Sequence, residues 1–178
     1  MIFYLTIECQ RAIIALIKRA IGRKSEYGLD LWRSGTSEIA PGKWARGYPA
    51  LAPLPHPWAI GQFHTHVPME IHKILIAPSE YELSPGDILN TLIFPNYMMT
   101  GLAVPPISKV PDWELEKWRV KFVTRAKEFP PPLLEAARLI LPGAIRRFVE
   151  QRIKGYYTIY DFNLDTTRRI PLEIFGPV

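Results

Sequence analysis

A histidine pair closing an apolar run is the feature that most limits how this chain can fold. The run from Trp58 ends in Gly61-Gln62-Phe63-His64-Thr65-His66, and Ser84-Pro85-Gly86-Asp87-Ile88 follows downstream. Alternate side chains of a strand share a face, with Cα atoms about 6.5–7 Å apart, so His64 and His66 point one way and Thr65 the other. A serine followed three residues later by an acid is a capping box, and proline suits the first helical position. For the two segments to act together, the fold has to bring a strand end and a helix start to one place.

The side chains define what such a meeting can do. Two imidazoles and the Asp87 carboxylate are ligand types of a catalytic zinc, with a fourth position left for water. The single cysteine, Cys9, excludes an internal disulfide and a cysteine-based metal cluster, and it suits a reducing, cytoplasmic setting. A catalytic zinc also needs a proton acceptor. Glu26, just before the strand-like Tyr27–Trp32, is the candidate, and Glu38 is its rival. Glu70, His72, Glu80 and Glu82, in the connection between the two segments, are alternative ligands, whereas His56, between prolines, reads as structural. Each feature has a plainer reading too: a histidine pair on a strand, a helix cap, a loop acid.

The rest of the chain alternates strand and helix signals. Residues 2–7 read as a strand or the lead into a helix. Ile13, Ile14, Ile17, Ala20 and Ile21 recur at helical spacing before Gly22. Glu8, Arg11, Lys18 and Arg19 interrupt this stretch, so it reads as an amphipathic helix packed on the domain, not a signal or a transmembrane segment. Short strands are expected within the Pro- and Gly-rich residues 36–57, and a further short strand at 71–76. A helix is expected from Ser84 to about Leu92, and a strand over 97–104. Helices are expected from Asp112 to about Glu128, over 133–141 and over 143–153. Strands follow at 156–162 and 169–175. At 178 residues, 48% hydrophobic and 22% charged, this is one domain of mixed α/β class (α+β type), a sheet with helices packed on it.

The net charge of +5 belongs to residues 105–154, which carry eleven basic and six acidic side chains. Trp113, Trp118, Arg119, Lys121, Arg125, Arg146, Arg147 and Arg152 offer a nucleic-acid reading. The same spacing is that of an amphipathic helix with a solvated basic face, or of a surface for an acidic protein.

The order of parts resembles the JAMM (MPN+, JAB) metalloprotease family. An amphipathic helix leads to Glu26 at a strand start; His64-x-His66 and then Ser84-x-x-Asp87 follow. The resemblance covers residues 10–104. It implies a domain of MPN/JAB, cytidine-deaminase-like architecture spanning 1–178, with a helical insertion at about 105–154. It implies Zn2+ held by His64, His66 and Asp87, Ser84 as oxyanion stabiliser, and Glu26 as proton carrier. The implied activity is amide or isopeptide hydrolysis on a protein or peptide substrate, such as the tail of a ubiquitin-like modifier. The alternative is a non-catalytic MPN-like scaffold or protein-binding module. Three differences from the family pattern stand out. The seventeen residues between His66 and Ser84 exceed its usual spacing, Val67 stands before Pro68 where the family has proline directly, and Leu29 stands three residues after Glu26 where the family often has glycine, with Gly28 one place earlier.

Overall fold

The apolar runs of this chain assemble into one eight-stranded mixed sheet with helices on both faces. The structure, a computed structural model, describes residues 1–49, 51–68, 82–109, 111 and 119–176. Within them the strands are β1 (Ile2–Leu5), β2 (Tyr27–Ser34), β3 (Glu38–Arg46), β4 (Gly61–Thr65), β5 (Met99–Ala103), β6 (Arg119–Arg125), β7 (Tyr157–Asn163) and β8 (Ile170–Glu173). The helices are α1 (Ile7–Ala20), α2 (Pro85–Ile93), α3 (Pro131–Arg138) and α4 (Ile145–Gln151). The sheet order is β7-β6-β5-β4-β2-β3-β1-β8. The β1–β3 and β4–β5 pairs are parallel and the other pairs antiparallel.

The two faces carry separate cores. On one, Cys9, Ile13, Leu16 and Ile17 of α1 bury against Leu29, Leu31, Phe63 and Phe122. The amphipathic helix thus spends its apolar stripe on the sheet. On the other face, Ile88, Leu89 and Leu92 of α2 meet Leu102, Val123, Ala137, Phe148 and Val149. The sheet also curls towards closure. Phe175 N–H donates to the Arg125 carbonyl at 2.8 Å, the Thr124 hydroxyl to the Glu173 carbonyl at 3.0 Å, and Glu173 N–H to the Tyr160 hydroxyl at 3.0 Å. The end of β8 therefore reaches β6 and β7 from the far side of the sheet.

Most expected elements form close to where the sequence puts them, with two corrections. The expected short strands at 36–57 are one nine-residue strand, β3, whose pairing with β2 shifts register between Leu29 and Leu31. The expected helix from Asp112 to Glu128 is overturned over its second half, because residues 119–125 form β6 between β5 and β7. The proposed helical insertion at 105–154 is therefore not a helical block; only α3 and α4 within it are α-helices among the described residues. Val120 and Phe122 bury on the α1 face and Val123 on the other. A strand buried on both sides lacks strict alternation, and its apolar positions mimic helical spacing. The expected strand at 71–76 lies outside the described residues. No helix among those described is long and apolar enough to cross a membrane.

Candidate metal centre

His64 belongs to the α2 face of β4, because it sits beside Leu102 in the parallel β4–β5 register. One residue beyond the strand, His66 N–H still donates to the Ala103 carbonyl at 3.0 Å, so the extended geometry continues. The two rings lie on the same side, with centroids 5.1 Å apart and Nε2 atoms 3.2 Å apart.

Helix α2 brings the carboxylate. Ser84 Oγ accepts from Asp87 N–H at 3.0 Å, and Asp87 Oδ2 accepts from Ser84 N–H at 3.1 Å. This reciprocal cap fixes the first turn and also holds the acid in place. The same Oδ2 lies 3.4 Å from His64 Nε2 and 3.7 Å from His66 Nε2. Burial works to raise the Asp87 pKa, but the charges and hydrogen bonds of His64 and His66 outweigh it and hold the carboxyl well below its usual range.

These three atoms form a triangle with edges of 3.2, 3.4 and 3.7 Å. A tetrahedral ion with ligand distances of about 2.0–2.1 Å spaces its donors about 3.3–3.4 Å apart. The triangle thus has the size of one face of a coordination tetrahedron. His64, His66 and Asp87 can hold a metal ion. His64 Nδ1 is buried without a hydrogen-bond partner among the described residues. Among the described residues nothing supplies the outer hydrogen bond that normally orients a ligating imidazole. Burial of the ring and its contact with His66 do that work.

Glu26 reaches the same place through sheet register. Antiparallel β2 pairs Gly28 with His64, and Tyr27 N–H donates to Thr65 Oγ1 at 3.0 Å. Glu26, one residue before β2, thereby comes close enough to His66 and Asp87 for their charges to act on its carboxyl. Its backbone is held by Tyr48 and Gly47, with Glu26 N–H donating to the Tyr48 carbonyl at 2.9 Å and Gly47 N–H to the Glu26 carbonyl at 2.7 Å. Burial pushes the Glu26 carboxyl up to about 7, while the charge of His66 pulls it down and that of Asp87 pushes it up. All five sequence-derived residues therefore gather at one end of β4.

The rival candidates fall elsewhere. Glu38 pairs with Arg169 at 3.2 Å at the start of β3. His56 Nδ1 accepts from Trp58 N–H, and its ring packs on Trp32. Glu82 is exposed, and Glu70, His72 and Glu80 lie outside the described residues, as do Trp113 and Trp118. Two residues of the nucleic-acid reading have structural work instead. Arg125 donates to the carbonyls of Thr91 and Phe94 at the C-terminal end of α2, and Arg152 covers the Phe148 ring.

Sequence reasoning missed the support behind Asp87. Thr91 Oγ1 donates to the Asp87 carbonyl at 2.9 Å and shares a 2.7 Å hydrogen bond with Thr100 Oγ1 in β5. Buried Thr91 thus ties the first turn of α2 to the sheet. The signal was present as a threonine four residues after the acid, on the same helix face.

Neither the comparison with protein-family models nor that with curated proteins finds a match for this chain.

Proposed function

We propose that this chain is a zinc-dependent metallopeptidase of the JAMM type, with an MPN-like fold, that hydrolyses amide or isopeptide bonds of a protein or peptide. The observation that carries the reading is the pairing of a tetrahedron-sized His64–His66–Asp87 donor triangle with a buried acid, Glu26, near enough for the charges of His66 and Asp87 to act on it. Two imidazoles and one carboxylate are a donor set of catalytic zinc with an open position. When bound, zinc supplies Lewis acidity, which polarises a carbonyl and makes water nucleophilic near neutral pH.

The chain's own residues do the rest. Glu26 takes a proton from the attacking water and returns it to the leaving amine as the C–N bond breaks. A carboxyl with a pKa of about 7 suits both directions of transfer near neutral pH. The Ser84 oxygen is engaged by Asp87 N–H, which leaves the hydroxyl hydrogen to donate to the oxyanion. The tail of a ubiquitin-like modifier, extended and free of bulky structure, is a substrate of this chemistry. Mass spectrometry of a lysine-linked conjugate incubated with zinc-loaded protein tests the reading. Cleavage at the isopeptide bond supports it, and intact conjugate with bound zinc speaks against it.

A non-catalytic, MPN-like binding module is the second reading. The apolar stretch beside Glu26 favours it, since Tyr48, Leu51, Leu54 and Trp58 are all exposed. Partner binding that survives His64→Ala and His66→Ala, with no hydrolysis by the wild type, is its signature.

A further inference from the structure

A second surface owes nothing to the metal centre. Between α3 and α4 the chain reads Leu139-Ile140-Leu141-Pro142-Gly143-Ala144-Ile145, seven residues without a polar side chain. Ile140 and Ile145 pack partly against the core formed with Ala137, Phe148 and Val149, which holds the turn in place. Leu139 and Leu141 project outward instead, 82% and 74% exposed. Apolar side chains this exposed and held on a fixed turn are available for contact with a partner surface.

Two features bear on what it contacts, and the first selects the partner. The first is charge. Arg138 precedes the run and Arg146 and Arg147 follow it, all exposed, and no acidic residue lies between Glu135 and Glu150. Arg146 has one loose, exposed partner, Glu150, at 3.8 Å, which restrains it little. The second is the backbone. Leu139 N–H donates to the Ala136 carbonyl, Ile140 N–H to Ala137, and Ala144 N–H to Leu141. Ile145 N–H donates to the Pro142 carbonyl, and Pro142 has no N–H. Most donors of the turn are thus satisfied internally, so the turn can leave water at little cost in backbone hydrogen bonds, as entry into a lipid boundary demands. An apolar tip with an arginine collar matches an anionic bilayer, where leucines enter the headgroup–acyl boundary and arginines meet lipid phosphates.

We propose that the 139–145 turn docks this protein peripherally on anionic lipid surfaces. Co-sedimentation with phosphatidylcholine vesicles, with and without about a third phosphatidylserine, tests it. The wild type should pellet with the anionic vesicles and detach as salt rises. Binding should weaken about tenfold for each of Leu139→Ser and Leu141→Ser. Arg146→Gln with Arg147→Gln should remove the preference for phosphatidylserine. Both leucines are exposed, so these variants should keep the wild-type melting temperature, which the same samples can report. No pelleting with anionic vesicles, or equal pelleting of the double leucine variant, overturns the proposal. So does a change of oligomeric state in the leucine variants without any vesicle binding, which assigns the turn to a protein contact.

Discussion

Glu26 lies close enough to His66 for the imidazole's charge to act on its carboxyl, because the β2–β4 ladder that pairs Gly28 with His64 brings the start of β2 to the end of β4. Forty residues of sequence separate the two side chains, and one antiparallel pairing removes that distance. The pairing also separates their roles. His66 belongs to the donor triangle, whereas Glu26, the residue before β2, lies outside that triangle, which under the proposed reading leaves it to carry a proton. Glu26→Gln should therefore keep the metal and lose about 10²–10⁴-fold in hydrolysis. Metal content and cleavage rate measured on one preparation check this; loss of both together would point to Glu26 as a ligand instead.

Glu26 also gives the metal-free protein a distinctive pH dependence. Its carboxyl titrates at about 7 in the folded state against an ordinary 4.5. Between those values the folded chain holds a proton that the unfolded chain has released. Its contribution to stability is thus fully present below the unfolded value and is lost as pH rises through the folded one. The full loss is of order 3 kcal/mol. Asp87 has the opposite sign: its depressed carboxyl stabilises above the ordinary aspartate value, and that is lost as pH falls through the folded one. Urea unfolding at about pH 5 and about pH 8 should show the Glu26 slope, and Glu26→Gln should flatten it. An unchanged slope in the variant contradicts the burial-driven shift.

Ser84→Ala removes the side-chain half of the α2 cap, the 3.0 Å bond from Asp87 N–H. A loss of about 1 kcal/mol is expected, with a smaller loss for Ser84→Gly. Thermal melts of the metal-free proteins read this directly. Because Asp87 is also held by the Ser84 backbone N–H, metal binding should weaken only modestly.

Gly28 shows how closely the chain passes over the site strand. A Cβ there would lie 2.6 Å from Gln62 Nε2 and 2.7 Å from Pro53 Cγ. Gln62 is in turn tied to the Pro53 carbonyl at 2.7 Å, so it cannot simply swing aside. Gly28→Ala should destabilise by about 1–3 kcal/mol. A melting temperature equal to wild type would show that the 51–58 segment yields freely.

The candidate site was more legible in the sequence than the sheet around it. His64-x-His66 and the Ser84 cap are local patterns, and their geometry follows from strand alternation and helix capping. Glu26 was legible as a candidate acid before a strand, but its approach to His66 depends on the β2–β4 pairing, which joins segments distant in sequence. β6 was hidden because Val120 and Phe122 face one core and Val123 the other, so no single period marks it. β3 was obscured by Pro41 and Gly42, which a register shift near Leu29 and Leu31 accommodates. Thr91 and Arg125 read as an ordinary helix polar residue and a surface cation, but tertiary contacts make them braces of α2.

The most direct test is the metal content of the purified protein by elemental mass spectrometry, alongside His64→Ala and Asp87→Ala. About one zinc per wild-type chain, lost in both variants, is the expected result. A folded wild type that takes up no zinc, or variants that bind it as well as wild type, would contradict the metal centre on which the hydrolase reading rests.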